Sequence, residues 1–134
     1  MQSPAALPES TPSSNPAARV PSSWWAVCLC AAWCGTCGVY RPLFDELARA
    51  YPDVRFEWVD IEDDSDIAGD LDVETFPTLL IADGERALFL GPLLPQAPVL
   101  ARLLTSLQAA APGGAGAGDE AQAVFERVRA ARSA

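Results

Sequence analysis

Two cysteines, Cys34 and Cys37, stand three residues apart in Cys34-Gly35-Thr36-Cys37, directly after Trp33. Thiols at i and i+3 at the start of a helix lie close enough to close one small disulfide. The first falls at the helix N-terminus, where unpaired amides and the dipole favour a thiolate. Such placement can lower a cysteine pKa from about 8.5 to roughly 3.5–7.5. The second falls a turn deeper and is expected to be buried. This asymmetry defines a reaction. Cys34 attacks a client disulfide and forms a mixed disulfide, and Cys37 then attacks Cys34 and frees the reduced client. Gly35 lets the backbone turn tightly, and Trp33 sets a flat apolar surface beside the sulfur.

All four cysteines lie between positions 28 and 37. A structural disulfide framework spreads its cysteines to close long loops, so this clustering reads as redox chemistry or metal ligation. Cys28 and Cys30 alternate with Leu29 and point to one face of a strand. They are either small hydrophobes packed in a core or auxiliary thiols for the dithiol. Taken together, Cys-x-Cys-x3-Cys-x2-Cys would suit a tetrahedral zinc or iron–sulfur site. Structural zinc sites more often use two separated C-x-x-C knuckles, and a regular strand directs Cys28 into the core. No metal is therefore expected.

The elements that must hold the dithiol are legible around it. Trp24 to Ala31 is a continuous apolar run of strand length, as in a strand buried on both faces. After the turn at 33–37, Val39, Tyr40, Leu43, Phe44, Leu47, Ala48 and Tyr51 repeat at helical spacing, with Pro42 inside as a kink. Residues 54–60 alternate as a second strand. Residues 66–71 read as a short helix that Ser65 could cap. Pro77 to Ala82 is a third strand, Asp83-Gly84 a hairpin turn, and 86–90 a fourth strand. Pro98 opens a helix to about Ala109. The order β–α–β–α–β–β–α implies a mixed sheet with helices on both faces.

The flanks differ from this middle. Residues 1–23 are rich in Pro, Ser and Ala and read as a disordered arm; 24–111 form the domain. Residues 112–118 read as a flexible linker. Residues 119–134 form a tail helix, acidic at its start and arginine-rich at its end, as the dipole prefers. Its apolar positions Ala121, Val124, Phe125 and Val128 share one face, docked or free.

The chain has 134 residues, a formal charge of -9, nine Lys plus Arg, all of them Arg, and no His. No basic patch is visible, so nucleic acid is not an expected partner. Without His, the usual serine or cysteine triads and imidazole metal sites are excluded. No apolar run is long enough to span a bilayer, and residues 1–23 lack a secretory pattern. A cytoplasmic monomer is expected. The acidic run Asp60, Glu62, Asp63, Asp64, Asp66, Asp70, Asp72, Glu74 lacks the glycine and closing Glu of a calcium loop. It reads as a solvated face, or as a docking surface for a basic partner.

Over about residues 24–107 the sequence resembles the thioredoxin superfamily. The resemblance rests on Trp33-Cys34-Gly35-Thr36-Cys37, on Pro42 where the family kinks its active-site helix, and on Phe76-Pro77-Thr78 at the family's cis-proline. Asp83-Gly84-Glu85 matches its hairpin turn and Gly91 the glycine after the next strand. It implies a thioredoxin-like α/β fold, with a mixed sheet flanked by helices, and protein thiol–disulfide exchange. Cys34 and Cys37 would be catalytic and form the redox-active disulfide, the only cofactor needed. Trp33, Gly35, Thr36, Phe76 and Pro77 would line the client groove, with the Phe76–Pro77 bond cis. Partners would be protein disulfide or dithiol clients and an electron donor or acceptor. The competing readings are a non-catalytic interaction module of this fold and the four-thiol metal site.

Four departures modify these expectations. The family usually begins with a strand and helix before the active-site strand, and residues 1–23 read as neither. Cys28 stands where well-studied thioredoxins have a buried Asp that relays the resolving thiol's proton. Cys30 stands at a family Trp, and Trp58 at the Lys that pairs with the Asp. Thr36 replaces the usual Pro. Slow resolution near neutral pH follows.

Overall fold

The computed structural model describes residues 24–69, 71, 73–109 and 116–132. The expected arm 1–23 and linker residues 112–115 lie outside the described residues.

Alternation along the strands sorts the side chains into two layers. β1 (Trp24–Cys30) is almost wholly buried. Ala26, Cys28 and Cys30 face one core, and Trp25, Val27 and Leu29 face the other. That is the two-residue period of a strand covered on both sides. β2 (Val54–Asp60) pairs parallel to β1, with Cys28 opposite Trp58 and Cys30 opposite Asp60. β3 (Thr78–Ala82) pairs antiparallel to β1, and β4 (Ala87–Pro92) antiparallel to β3. The four-stranded order is β2-β1-β3-β4. The parallel pair needs a crossover, and α1 (Gly35–Ala50) supplies it.

α1 presents Cys37, Tyr40, Phe44 and Leu47 to the first core, at the spacing read from the sequence. It runs through Pro42. α3 (Ala97–Ala109) adds Leu100 and Leu104 to the same core. α2 is shorter than expected, Ser65–Ala68, with Asp64 rather than Ser65 at the N-cap position. It stops because Gly69 adopts φ 58, a left-handed conformation that glycine takes without a Cβ penalty.

The tail helix α4 (Asp119–Arg132) is part of the domain. Ala121, Val124, Phe125 and Val128 are buried against Trp25, Val27, Leu29, Val59 and Leu80. Phe125 meets the Trp25 ring edge-to-face at 5.7 Å. Polar contacts fix its register. Arg127 donates to the α2 carbonyls of Ile67 (2.7 Å) and Ala68 (3.3 Å). Gln122 accepts from Ala87 N–H (2.9 Å) and donates to the Glu85 carbonyl (2.8 Å). The last linker residues are tied down too: Ala117 N–H donates to the Ala87 carbonyl at 2.8 Å. With α1 and α3 on one face and α2 and α4 on the other, four strands are covered on both sides. Among the described residues, no helix is long and apolar enough to cross a membrane.

Candidate functional site

β1 ends at Cys30, and the chain turns through Ala31, Ala32 and Trp33 into α1. Cys34 is the N-cap of α1, with extended backbone angles (φ -85, ψ 121). Its N–H donates to the Ala31 carbonyl at 3.0 Å, and its carbonyl accepts from Gly38 N–H at 3.2 Å. Its sulfur is half-buried and unbonded. Gly35 and Thr36 are exposed, and Cys37 is buried in the first turn. The expected asymmetry between an accessible Cys34 and an inner Cys37 is therefore present.

The disulfide is not the expected Cys34–Cys37 bond. The structure closes Cys30–Cys37, with 5.9 Å between Cα atoms. The reason lies in the layering. Cys30 is the last residue of β1 and faces the α1 core, and Cys37 is the first α1 residue buried in that core. Their Cα separation falls in the usual range for a bridge, about 5.5–6 Å. Cys34, at the cap, stands at the edge of that core. Cys28 is also free and fully buried, with its Sγ 3.8 Å from that of Cys30. Among the described residues no group of three or more His, Cys, Asp or Glu could hold a metal ion.

The client-facing residues come from two loops. Trp33 is 66% exposed, and its ring meets Phe76 edge-to-face at 5.6 Å. Phe76–Pro77 is a cis peptide bond, with Phe76 half-buried and Pro77 buried. The Pro77 carbonyl accepts from Leu93 N–H at 3.2 Å, and Thr78 Oγ1 donates to the Thr75 carbonyl at 2.6 Å. The cis-proline loop is thus held from both sides.

Two residues of the acidic run position the motif, a role that reading the run as a solvated or docking face had missed. Asp60 ends β2 beside the end of β1. Its Oδ2 accepts from Ala32 N–H at 2.8 Å, and its Oδ1 from Glu62 and Asp63 N–H at 2.9 and 3.0 Å. The amides of Asp63 and Glu62, then that of Ala32, hold its carboxyl below the usual carboxylate range. Glu62 accepts the Trp33 indole N–H at 2.9 Å. Asp60 pins the loop before Cys34, and Glu62 orients the exposed indole. The signal available in the sequence was an Asp at the C-terminal end of a strand parallel to the motif strand.

Beneath the motif the environment is apolar. Burial pushes the Cys28 thiol well above its ordinary value, opposed in part by the Arg41 charge. Burial pushes the Tyr40 hydroxyl up as well, with a further push from Cys28. The Tyr40 hydroxyl makes no hydrogen bond among the described residues. Trp58, opposite Cys28, packs on Phe44 at 5.7 Å and under the Arg41 guanidinium at 4.6 Å.

A mixed sheet with this dithiol helix and a cis-proline loop beside it defines a thioredoxin-like fold. The thioredoxin family model matches residues 17–90. The thioredoxin H-type of Picea mariana is 43% identical over 61 residues, 45% of this chain and 49% of its own length. Mitochondrial thioredoxin-3 of Saccharomyces cerevisiae is 41% identical over 56 residues, 41% of this chain and 44% of its own. The crystal structure of the oxidised form of that yeast protein superposes with a TM-score of 0.56 at 26% identity. It covers 63% of this chain and 79% of the yeast chain. A poplar thioredoxin h shares the fold at a TM-score of 0.58, 23% identity and 71% and 84% coverage. The chain belongs to the thioredoxin family. It spans about half the length of the curated relatives it matches.

Proposed function

We propose that the protein is a thiol–disulfide oxidoreductase for protein clients, with Cys34 as the attacking sulfur and Cys37 as the resolving one. One observation carries this reading. Cys34 is the half-exposed cap of α1, beside the Trp33–Phe76 pair, while Cys37 lies buried in the turn below. Family membership supports it.

In the reducing direction Cys37 begins as a thiol. The Cys34 thiolate attacks one client sulfur, and the other leaves as a thiolate. Cys37 gives up its proton and attacks Cys34 Sγ, forming Cys34–Cys37 and releasing the second client sulfur. The client gains two electrons and the protein loses two. The client backbone lies between Trp33, Gly35 and Thr36 on one side and Phe76 and Pro77 on the other. An external dithiol or disulfide resets the site, and the cysteines themselves are the only cofactor. The protein acts as a monomer in the reducing cytosol.

The proton on Cys37 limits this cycle. The chain has no His and no Lys, and Cys28 stays a neutral thiol, a poor proton acceptor. Resolution therefore depends on water or an outside base, and its rate rises with pH.

Insulin reduction with dithiothreitol tests the reading. The wild-type chain is expected to speed precipitation, and Cys34→Ser to fall to the dithiothreitol background. Equal rates for both would remove Cys34 as nucleophile. A wild-type chain at background would mean a non-catalytic interaction module.

A further inference from the structure

We infer that Cys30 is a third redox-active cysteine of this site. Cys37 exchanges between two partners, and an inner Cys30–Cys37 disulfide is the oxidised form in which Cys34 remains a free thiol. This role rests on Cys34 being the client-facing nucleophile.

Four placements support it. Cys30 and Cys37 are joined, and both are buried, at 0% and 2% exposure. Cys34 is in the same turn of α1 as Cys37 and packs at the margin of the same core. Of the four cysteines it is the one that is not buried. The Cys28 thiol points at the Cys30 sulfur at 3.8 Å and donates toward it.

The exchange balances without any added reagent. From the inner form, the Cys34 thiolate attacks Cys37 Sγ. The Cys34–Cys37 bond forms, the Cys30–Cys37 bond breaks, and Cys30 leaves as a thiolate that takes up the proton Cys34 gave up. Cys28 is placed to donate a hydrogen bond to that leaving sulfur, which favours its charged form. The reverse step follows client reduction: Cys30 attacks Cys37 and restores Cys34 as a free thiol. No net oxidation occurs in either direction. Because the inner bond is buried, an external reductant reaches it through Cys34. The inner disulfide is thus a store of oxidising equivalents gated by the outer thiol.

Trp33 makes the test direct. Cleavage after Trp33 separates Cys28 and Cys30 from Cys34 and Cys37. The full chain is reduced, oxidised with diamide, acid-quenched, blocked with N-ethylmaleimide and digested with pepsin. The expected product is two fragments linked through Cys30 and Cys37, with maleimide on Cys34 and Cys28. Separate fragments, with Cys34 bonded to Cys37 throughout, would overturn the inference. Oxidised Cys34→Ser is expected to form the same linked pair. It should then be reduced by dithiothreitol about ten-fold or more slowly than wild type, since access governs exchange. Reduction at the wild-type rate would overturn the gate. The insulin assay comparing wild type with Cys34→Ser judges the nucleophile reading separately, because it does not depend on which sulfur Cys37 rests on.

Discussion

Phe125→Ala asks whether the tail helix belongs to the fold. Phe125 is fully buried in the core made by β1, β3 and α4, and its ring meets Trp25 at 5.7 Å. Removing a buried Phe side chain costs about 3–5 kcal/mol, transfer and cavity together. Of that, the edge-to-face pair accounts for about 0.5–1.5 kcal/mol. A domain of this size has only about 5–15 kcal/mol in total. At about 4 °C per kcal/mol, the midpoint should fall by roughly 12–20 °C. Urea denaturation followed by tryptophan fluorescence reads the loss, and Trp25 reports on the altered contact itself. The cysteines lie on the other face of the sheet, so Cys34 alkylation in the folded variant should match wild type. A loss below about 1 kcal/mol would mean that α4 is an appendage and that the two-sided sheet described above is wrong.

Three further outcomes follow from the site. Stability should fall on the alkaline side: burial raises Cys28 and Tyr40 above ordinary values of 9.0 and 10.0. Their contribution is complete below those values and lost as pH rises, by about 1.4 kcal/mol per pH unit for each proton, read by denaturation at several pH values. A flat profile above pH 10 would contradict their burial. Asp60 has the opposite sign, since its carboxyl is held low: its contribution is present above the ordinary carboxylate range and lost as pH falls through the folded value. Asp60→Ala should cost about 0.5–2 kcal/mol, as for a lost cap, and raise the mobility of Trp33 in fluorescence anisotropy; unchanged anisotropy would deny it the positioning role. Cys28→Asp should speed resolution near neutral pH, followed as release of client from a mixed disulfide, and cost a few kcal/mol of stability; a rate equal to wild type would show that proton removal from Cys37 is not limiting.

The sheet was legible because its signals are local. The unbroken apolar run at 24–31, the alternation at 54–60 and the Asp83-Gly84 turn each specify one element. Those elements appear at Trp24–Cys30, Val54–Asp60 and the β3–β4 hairpin. The same alternation placed Cys28 and Cys30 on one face, and both do face α1. The docking of α4 was only half legible. Its apolar face could be read, but what covers that face depends on contacts with Trp25 and Leu80, far away in the chain.

The disulfide partner of Cys37 was illegible for a related reason. Spacing along a helix puts Cys34 near Cys37, but the competing sulfur comes from another element, the end of a strand under that helix. Only the packing of α1 on β1 brings Cys30 to 5.9 Å from Cys37 between Cα atoms. A cysteine at position 30, where the resemblance expects an indole, leaves a small sulfur side chain in that space, and it bonds Cys37. Cys28 and Trp58, opposite each other in the β1–β2 register, stand where the resemblance implies a carboxylate and an ammonium. These changes act in one direction. They place sulfur beneath Cys37 where the resemblance implies a carboxylate and an indole. Under the proposed exchange, Cys30 gives the Cys37 sulfur a second disulfide partner while Cys34 stays free. The residues at 28, 30 and 58 therefore pack as one arrangement under α1, in which the disulfide partner of Cys37 is a sulfur from β1.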